Sequence, residues 1–135
     1  MNRVAVGVGS NINPIENIAK AREILSSEFR LLQASHFKKT KPIGSINHPD
    51  FINGALLLET HLSQDEFKNR LHDIEEQLGR PRNGNRSAPR TIDLDLVIWN
   101  GKVMDPDIYE REFLKAAVLE IWPDLKNSFI NSKQN

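Results

Sequence analysis

The stretch Arg86–Trp99, RSAPRTIDLDLVIW, predicts the fold around it. Every second side chain in its later part is large and apolar: Ile92, Leu94, Leu96 and Ile98. Alternation with a period of two, rich in β-branched residues, is typical of a strand with one buried face. Asp93 and Asp95 therefore point together to the opposite face, with their Cα atoms about 6.5–7 Å apart.

This pair of aspartates needs a positive partner, because two carboxylates on one strand face repel each other. One source is a set of arginines that precede the strand: Arg80, Arg82, Arg86 and Arg90. Another is Mg²⁺, which prefers oxygen ligands and keeps waters and substrate phosphates in its shell. Arginines beside a carboxylate-bound cation would form a polyphosphate site. The alternative is a solvated strand face whose aspartates pair with the arginines.

The rest of the chain predicts three more strands and three helices. The strands are expected at Val4–Val8, Leu31–Lys39 and Phe51–Thr60. The first helix begins at Asn13-Pro14, with Asn13 as N-cap residue and Glu16 at the third helical position. The second begins at the capping box Ser63–Glu66 and ends at Gly79. The third covers Phe113–Trp122 and ends at Pro123.

The element order βαββαβ followed by a helix predicts an α+β fold of the ferredoxin-like type. This is a four-stranded antiparallel sheet with helices packed on it, plus a C-terminal helix. The apolar row Ile92 to Ile98 should pack against the helices, which leaves Asp93 and Asp95 on the open side. Asn53, a polar residue within an apolar strand, lies beside them only if its strand has the matching phase.

Composition limits the class of protein. The chain has 135 residues, 39% of them hydrophobic and 27% charged, and its formal net charge is zero. We expect one domain at 1–126 and a polar tail at 127–135. Zero net charge argues against broad nucleic-acid or membrane-surface binding. The absence of cysteine, of a signal peptide and of a long apolar segment makes the cytoplasm the default location. We also expect the protein to be a monomer.

The segment Arg86–Val97 closely resembles the signature of 6-hydroxymethyl-7,8-dihydropterin pyrophosphokinase, a folate-biosynthesis enzyme. The strand before Gly9-Ser10-Asn11 and the segment Pro123-Asp124-Leu125 are also similar to this family. The resemblance implies Mg-dependent transfer of pyrophosphate from ATP to the hydroxymethyl group of the reduced pterin, with release of AMP. It also implies a pair of Mg²⁺ ions bound by Asp93 and Asp95.

The resemblance further implies a set of site residues. The catalytic group would be Arg80, Arg82, Arg90, Asp93 and Asp95. The pterin would be bound by Thr40, Pro42, Ile43, Phe51, Asn53 and Phe113. The nucleotide would be bound by His72, Glu75, Arg82, Arg90, Leu96 and Arg111. For His72 and Glu75 the alternative is an ordinary polar helix face, and for Thr40–Gly44 an ordinary loop.

The chain departs from the family pattern at several positions. Lys41 stands where the family usually has proline, Ser87 where it often has tryptophan, and Phe51 where it usually has tyrosine. Between Met104 and Arg111 the chain is shorter than the family, and the missing part carries nucleotide contacts. Two alternatives to an active enzyme therefore stay open: a diverged paralogue that binds pterin with weak or no ATP turnover, and a plain ferredoxin-like binding module.

Overall fold

The computed structural model describes residues 1–40, 50–79 and 91–127, which form an α+β structure. The described strands are β1 (Asn2–Ser10), β2 (Arg30–Ala34), β3 (Lys38–Thr40), β4 (Phe51–Thr60), β5 (Asp93–Trp99) and β6 (Lys102–Val103). The described helices are α1 (Pro14–Glu28), α2 (Gln64–Gln77) and α3 (Glu112–Ile121), with short 3-10 turns at Pro106–Tyr109 and Pro123–Leu125. None of these helices has the length and apolar character needed to cross a membrane.

All described strands belong to one sheet, in the order β2-β4-β1-β5-β6, with β3 also paired to β4. The pairs are antiparallel. β2 pairs with the second half of β4 and β3 with the first three residues of β4, so both lie along the same edge. β1 and β4 lie inside the sheet.

The two faces of the sheet bury different helices. Val4, Val6 and Val8 of β1 belong to a core cluster that includes Leu25 of α1 and Phe67 of α2. The other face of the sheet packs against α3, in a cluster of the following residues: Ala5, Ala55, Leu57, Val97, Ile98, Ile108, Leu114, Ala117, Val118, Ile121 and Leu125. The face that was expected to be open is therefore partly covered, because the apolar stripe of α3 must also be buried.

The strand predicted at Leu31–Lys39 is divided into β2 and β3. Between them Ser35 turns to the neighbouring strand: its N–H donates to the Ala55 carbonyl, and its hydroxyl accepts from the Ala55 N–H, both at 2.9 Å. Phe37 then packs over Gly54, where a Cβ atom would lie 2.6 Å from the ring. This division and the addition of β6 produce six strands where four were expected.

A β-bulge corrects the prediction that Ile92 to Ile98 form one buried row. The register between β1 and β5 shifts between Ala5 and Val6, so that Ala5 pairs with Ile98 while Val6 pairs with Leu96. Because the extra residue reverses the alternation, Ile98 joins the α3 cluster. Trp99 instead reaches Phe67 of α2, with ring centroids 6.2 Å apart.

The helix ends follow the sequence signals, with one exception. Ser63 and Glu66 form the predicted capping box of α2, and Gly79 after the helix has a φ of 102°. Pro123 follows the end of α3 as expected. Asn13 precedes Pro14 as predicted, but it adopts a left-handed conformation with a φ of 41° and makes no side-chain cap. The first turn of α1 is held instead by the Asn17 amide, which donates to the Ile12 carbonyl at 2.6 Å.

Candidate active site

A row of residues across the sheet brings the predicted pterin-binding and metal-binding side chains together. Gly9 of β1 pairs with Asn53 of β4 on one side and with Asp93 of β5 on the other. Residues paired directly across an antiparallel sheet point to the same face. Asn53 and Asp93 therefore lie on the α3 face, separated by the width of one strand. In the next row Gly7 lies between Ala55 and Asp95 in the same way.

Gly9 provides space for the side chain of Asn53. A Cβ atom at this position would collide with the Asn53 Oδ1 atom, so the amide lies across the glycine backbone. The Asn53 amide nitrogen also donates a short hydrogen bond to the Thr40 hydroxyl on β3. Asn53 is thus held in one orientation, as an amide that recognises the edge of a heterocycle must be. Phe51 shares this face of β4 and is partly buried.

Burial and the surrounding carboxylates make Asp95 hard to ionise. Burial raises the pKa of Asp95 to about 7, and the nearby carboxylates of Asp93, Asp105 and Glu75 raise it in that order of importance. Arg111 opposes them and lowers this pKa. A divalent cation on the aspartates would reverse the balance, because the charge of a bound ion dominates such a site.

This pKa leads to a stability prediction for Asp95→Asn, measured without divalent cations. In the unfolded chain the carboxyl titrates near 3.8, so folding must raise its pKa to about 7. The carboxyl therefore costs nothing below the unfolded pKa, and destabilises the fold increasingly as pH rises from about 4 to about 7. We expect the variant to exceed wild type in free energy of unfolding by about 2–4 kcal/mol at pH 8, and to match it near pH 4.

Urea unfolding of both proteins at the two pH values, with EDTA present, measures this difference. Adding Mg²⁺ at pH 8 should stabilise the wild type more than the variant. If Asp95→Asn exceeds wild type in free energy of unfolding by the same amount at both pH values, the prediction is contradicted. The difference would then come from packing and not from the charge of Asp95.

Asp105 is a member of this cluster that the sequence analysis missed. It follows β6, where its side chain accepts from the Asp107 N–H at 3.0 Å and caps the 3-10 turn. The hairpin at Asn100-Gly101 returns the chain along β5, and the Met104 N–H donates to the Val97 carbonyl at 2.7 Å. The Asn-Gly turn signal could have located Asp105 from the sequence. In a hairpin that turns at Asn100-Gly101, Asp105 lies opposite Leu96.

Glu75 and His72 have different environments, although both were expected near the nucleotide. Glu75 is 3% exposed, and its carboxylate accepts from the Leu94 N–H at 2.8 Å. Leu94 lies between the two aspartates in sequence, so Glu75 binds the edge of β5 at the site. The alternative that Glu75 belongs to an ordinary polar helix face is therefore wrong. The side chain of His72 is 71% exposed, with its Nδ1 atom 3.2 Å from Glu75. Leu96 is buried in the core, which leaves only its backbone to contact a nucleotide.

Arg111 lies at the start of α3, where it contacts the predicted aromatic residue and lowers the pKa of Asp95. Its guanidinium carbon is 4.7 Å from the centre of the Phe113 ring, a distance typical of a cation–π contact. Its Nε atom is buried without a hydrogen-bond partner in the described part of the chain. Phe113 and Asn53 both line a recess of about 30 Å³ between α3 and the β3–β4 edge. The structure therefore brings Asn53, Phe113 and Arg111 to the same side of the sheet as Asp93 and Asp95.

Several predicted site residues lie outside the described residues: Arg80, Arg82, Arg90, Pro42 and Ile43. Their assignments stay predictions. The same holds for Lys41 and Ser87, the positions of two departures from the family pattern.

Comparison with known proteins gives a consistent result. Residues 5–123 match the family model described as 7,8-dihydro-6-hydroxymethylpterin-pyrophosphokinase. A 2-amino-4-hydroxy-6-hydroxymethyldihydropteridine pyrophosphokinase from Haemophilus influenzae is 33% identical over 131 residues, which cover 89% of this chain and 81% of the relative. The enzyme of the same name from Pseudomonas aeruginosa is 31% identical, with 93% and 84% covered. That from Bacillus subtilis is 32% identical, with 90% and 79% covered.

These matches extend over most of the chain, from β1 to the end of α3. They include the carboxylate pair on β5, Asn53 on β4 and Phe113 on α3, which the fold brings to one face. The chain belongs to the 7,8-dihydro-6-hydroxymethylpterin-pyrophosphokinase family.

Proposed function

We propose that this enzyme transfers pyrophosphate from ATP to the hydroxymethyl oxygen of 6-hydroxymethyl-7,8-dihydropterin, in folate synthesis, and releases AMP. The activity and its two substrates follow from membership of the family. The assignment of residues is our own proposal. The observation that supports it best is the row Asn53–Gly9–Asp93, which places a heterocycle-recognising amide one strand away from a carboxylate pair.

The donor set fits Mg²⁺. Asp93 and Asp95 provide hard oxygen ligands on one face, and the pKa of Asp95 is raised first by burial and then by neighbouring carboxylates, whose charge a cation would offset. The described residues contain no group of three or more acidic, histidine or cysteine side chains arranged to hold a metal ion. Two carboxylates are sufficient, since Mg²⁺ is commonly bound by one or two carboxylates together with waters and substrate phosphates.

The residues of the site would have separate roles in the reaction. Asp93 and Asp95 would hold Mg²⁺, which when bound would neutralise phosphate charge and favour ionisation of the attacking hydroxyl. Asn53, oriented by Thr40, binds the pterin edge, and Phe51 and Phe113 stack on the ring. Arg111 contributes positive charge that contacts the Phe113 ring and lowers the pKa of Asp95. Arg80, Arg82 and Arg90 would add charge as the transition state forms.

We also propose that residues 1–126 form one domain with a ferredoxin-like core. If β2 and β3 count as one interrupted strand, the four main strands take the order β2/β3-β4-β1-β5, as expected for two split βαβ units. The β6 hairpin extension and α3 would then be additions to that core.

The shortened segment between Met104 and Arg111 supports one alternative function, a pterin-binding paralogue with weak or no ATP turnover. In the structure this segment is a single 3-10 turn, Pro106–Tyr109, directly before α3. In the described part of that region, Arg111 supplies the positive charge that lowers the pKa of Asp95.

The test is AMP release from ATP, Mg²⁺ and 6-hydroxymethyl-7,8-dihydropterin, followed by chromatography. We expect AMP that depends on the pterin, from wild type but not from Asp95→Ala. If wild type forms no AMP but binds the pterin tightly in calorimetry, the paralogue is the correct interpretation. If it neither forms AMP nor binds the pterin, both proposals fail.

A further inference from the structure

A small recess connects the proposed pterin-binding side chains to a hydrogen-bonded histidine–glutamate pair at the rim. The recess, about 30 Å³ in volume, is lined by Asn53 and Phe113 at one end and by His36 and Glu120 at the other. Lys38, which pairs with Asn53 across β3 and β4, and Ala116 and Ala117 of α3 complete its wall. The family comparison assigns no role to His36 or Glu120.

His36 binds the Glu120 carboxylate through two of its own groups. Its backbone N–H donates to the two carboxylate oxygens at 3.0 and 3.3 Å, and its ring Nδ1 lies 2.8 Å from one of them. One residue thus holds the carboxylate by backbone and side chain together. Such an arrangement restricts the position of α3 in more than one direction, whereas a single contact would leave it free to pivot.

The location of this pair allows it to fix the position of Phe113. His36 lies in the break between β2 and β3, directly after Ser35, which is fixed to Ala55 by two hydrogen bonds. Glu120 lies in the last turn of α3, seven residues after Phe113, which corresponds to about two helical turns or 10.5 Å along the axis. Phe113 and Glu120 therefore lie on the same side of α3.

The hydrogen bonds of His36 and Glu120 add a directional restraint to the packing of α3. The helix contacts the sheet through apolar side chains such as Leu114, Val118 and Ile121. Apolar burial is not directional, so it resists separation of α3 from the sheet more than a small slide or roll across it. Directional hydrogen bonds at one end of the helix remove that freedom. Aromatic stacking, in turn, requires a defined distance between ring and ligand.

We propose that His36 and Glu120 are positioning residues for the pterin: their hydrogen bonds hold α3 so that Phe113 stays at the correct distance from Asn53. This inference rests on the proposed assignment of Asn53 and Phe113 to the pterin. It differs from a direct ligand role, since neither His36 nor Glu120 needs to contact the substrate.

The test uses His36→Ala, Glu120→Ala, their double variant and Glu120→Gln in the full-length chain. We expect Glu120→Ala, which removes every contact of the pair, to raise the Kd of 6-hydroxymethyl-7,8-dihydropterin about threefold to fivefold. His36→Ala removes only the ring contact and keeps the backbone N–H donor, so it should raise this Kd less. KM for the pterin should rise similarly, while kcat and the affinity for Mg²⁺-ATP change less than about twofold. The double variant should bind the pterin no more weakly than Glu120→Ala alone, because that single change already removes every contact between the two residues.

Two further variants sharpen the result. Glu120→Gln keeps an acceptor for the His36 N–H and should recover most of the affinity. Glu28→Ala removes a matched carboxylate that links α1 to α2 through Arg70, away from the recess, and should leave the pterin Kd unchanged.

Three results would overturn the proposal. If Glu120→Ala weakens binding and Glu120→Gln does not restore it, the carboxylate acts on the pterin through its charge and not by holding α3. If neither Glu120→Ala nor His36→Ala has an effect while Phe113→Ala weakens binding, the pair is only a surface contact and the proposed pterin site stands. If Phe113→Ala has no effect either, the assignment of the pterin site itself fails.

Discussion

Replacing Asp95 by asparagine is expected to lower the rate of pyrophosphate transfer about a hundredfold to a thousandfold. Asp95 shares one strand face with Asp93, and burial, followed by the neighbouring carboxylates, raises its pKa to about 7. Asparagine keeps the size of the side chain but removes the charged ligand that a hard cation requires. The loss should therefore appear in Mg²⁺-ATP binding and in kcat, while pterin affinity is retained.

Asp105→Asn is the matched control for this variant. Asp105 also raises the pKa of Asp95, but its carboxylate is used to cap the 3-10 turn after β6, a role that asparagine can keep. Its activity should stay within a few-fold of wild type. Calorimetric titration with Mg²⁺ and a non-hydrolysable ATP analogue gives the affinities. Unchanged nucleotide affinity in Asp95→Asn would exclude Asp95 as a metal ligand.

Gly9→Ala should have the second large effect, on pterin binding. Because a Cβ atom at this position collides with Asn53 Oδ1, the amide must leave its place above β1 and lose its hydrogen bond to Thr40. We expect the pterin Kd to rise about thirtyfold to a hundredfold, the effect of losing a pair of well-placed hydrogen bonds. Mg²⁺-ATP affinity should change little if the fold is intact.

Gly7→Ala offers a matched control on the same strand. There an added Cβ atom would lie 3.3 Å from Leu114 and 3.4 Å from Val97, so small shifts of flexible side chains can accommodate it. Fluorescence titration with the pterin and thermal unfolding should be measured together for both variants. Should Gly9→Ala fail to fold, Asn53→Ala removes the amide without crowding. Wild-type pterin affinity in Gly9→Ala or in Asn53→Ala would contradict the assignment of Asn53 to the pterin.

Local features were predictable from the sequence because they depend on residues close together in the chain. The capping box at Ser63 and the glycine after α2 were both confirmed. The period-two pattern placed Asp93 and Asp95 opposite Leu94 and Leu96, as the structure has them. The family signature around these aspartates was also confirmed by the match over residues 5–123.

Relations between distant segments could not be read in the same way. The bulge opposite Ala5 and Val6 turns Ile98 away from its predicted face, and a period-two pattern contains no sign of it. The hydrogen bonds of Glu75 to β5 and of His36 to Glu120 join residues 19 and 84 positions apart. Such contacts depend on which faces two elements turn toward each other, a property of packing and not of local pattern.

The sequence by itself determined the chemical groups of this protein: a carboxylate pair on a strand, an asparagine in an apolar strand, an aromatic residue on the last helix and the family they indicate. Only the tertiary structure decided that Asn53 and Asp93 face the same side, and that α3 brings Phe113 and Arg111 to that side. The reason is register. A shift of one residue between β1 and either neighbour would turn a whole row of side chains to the other face, and it is the packing of both faces that selects one register.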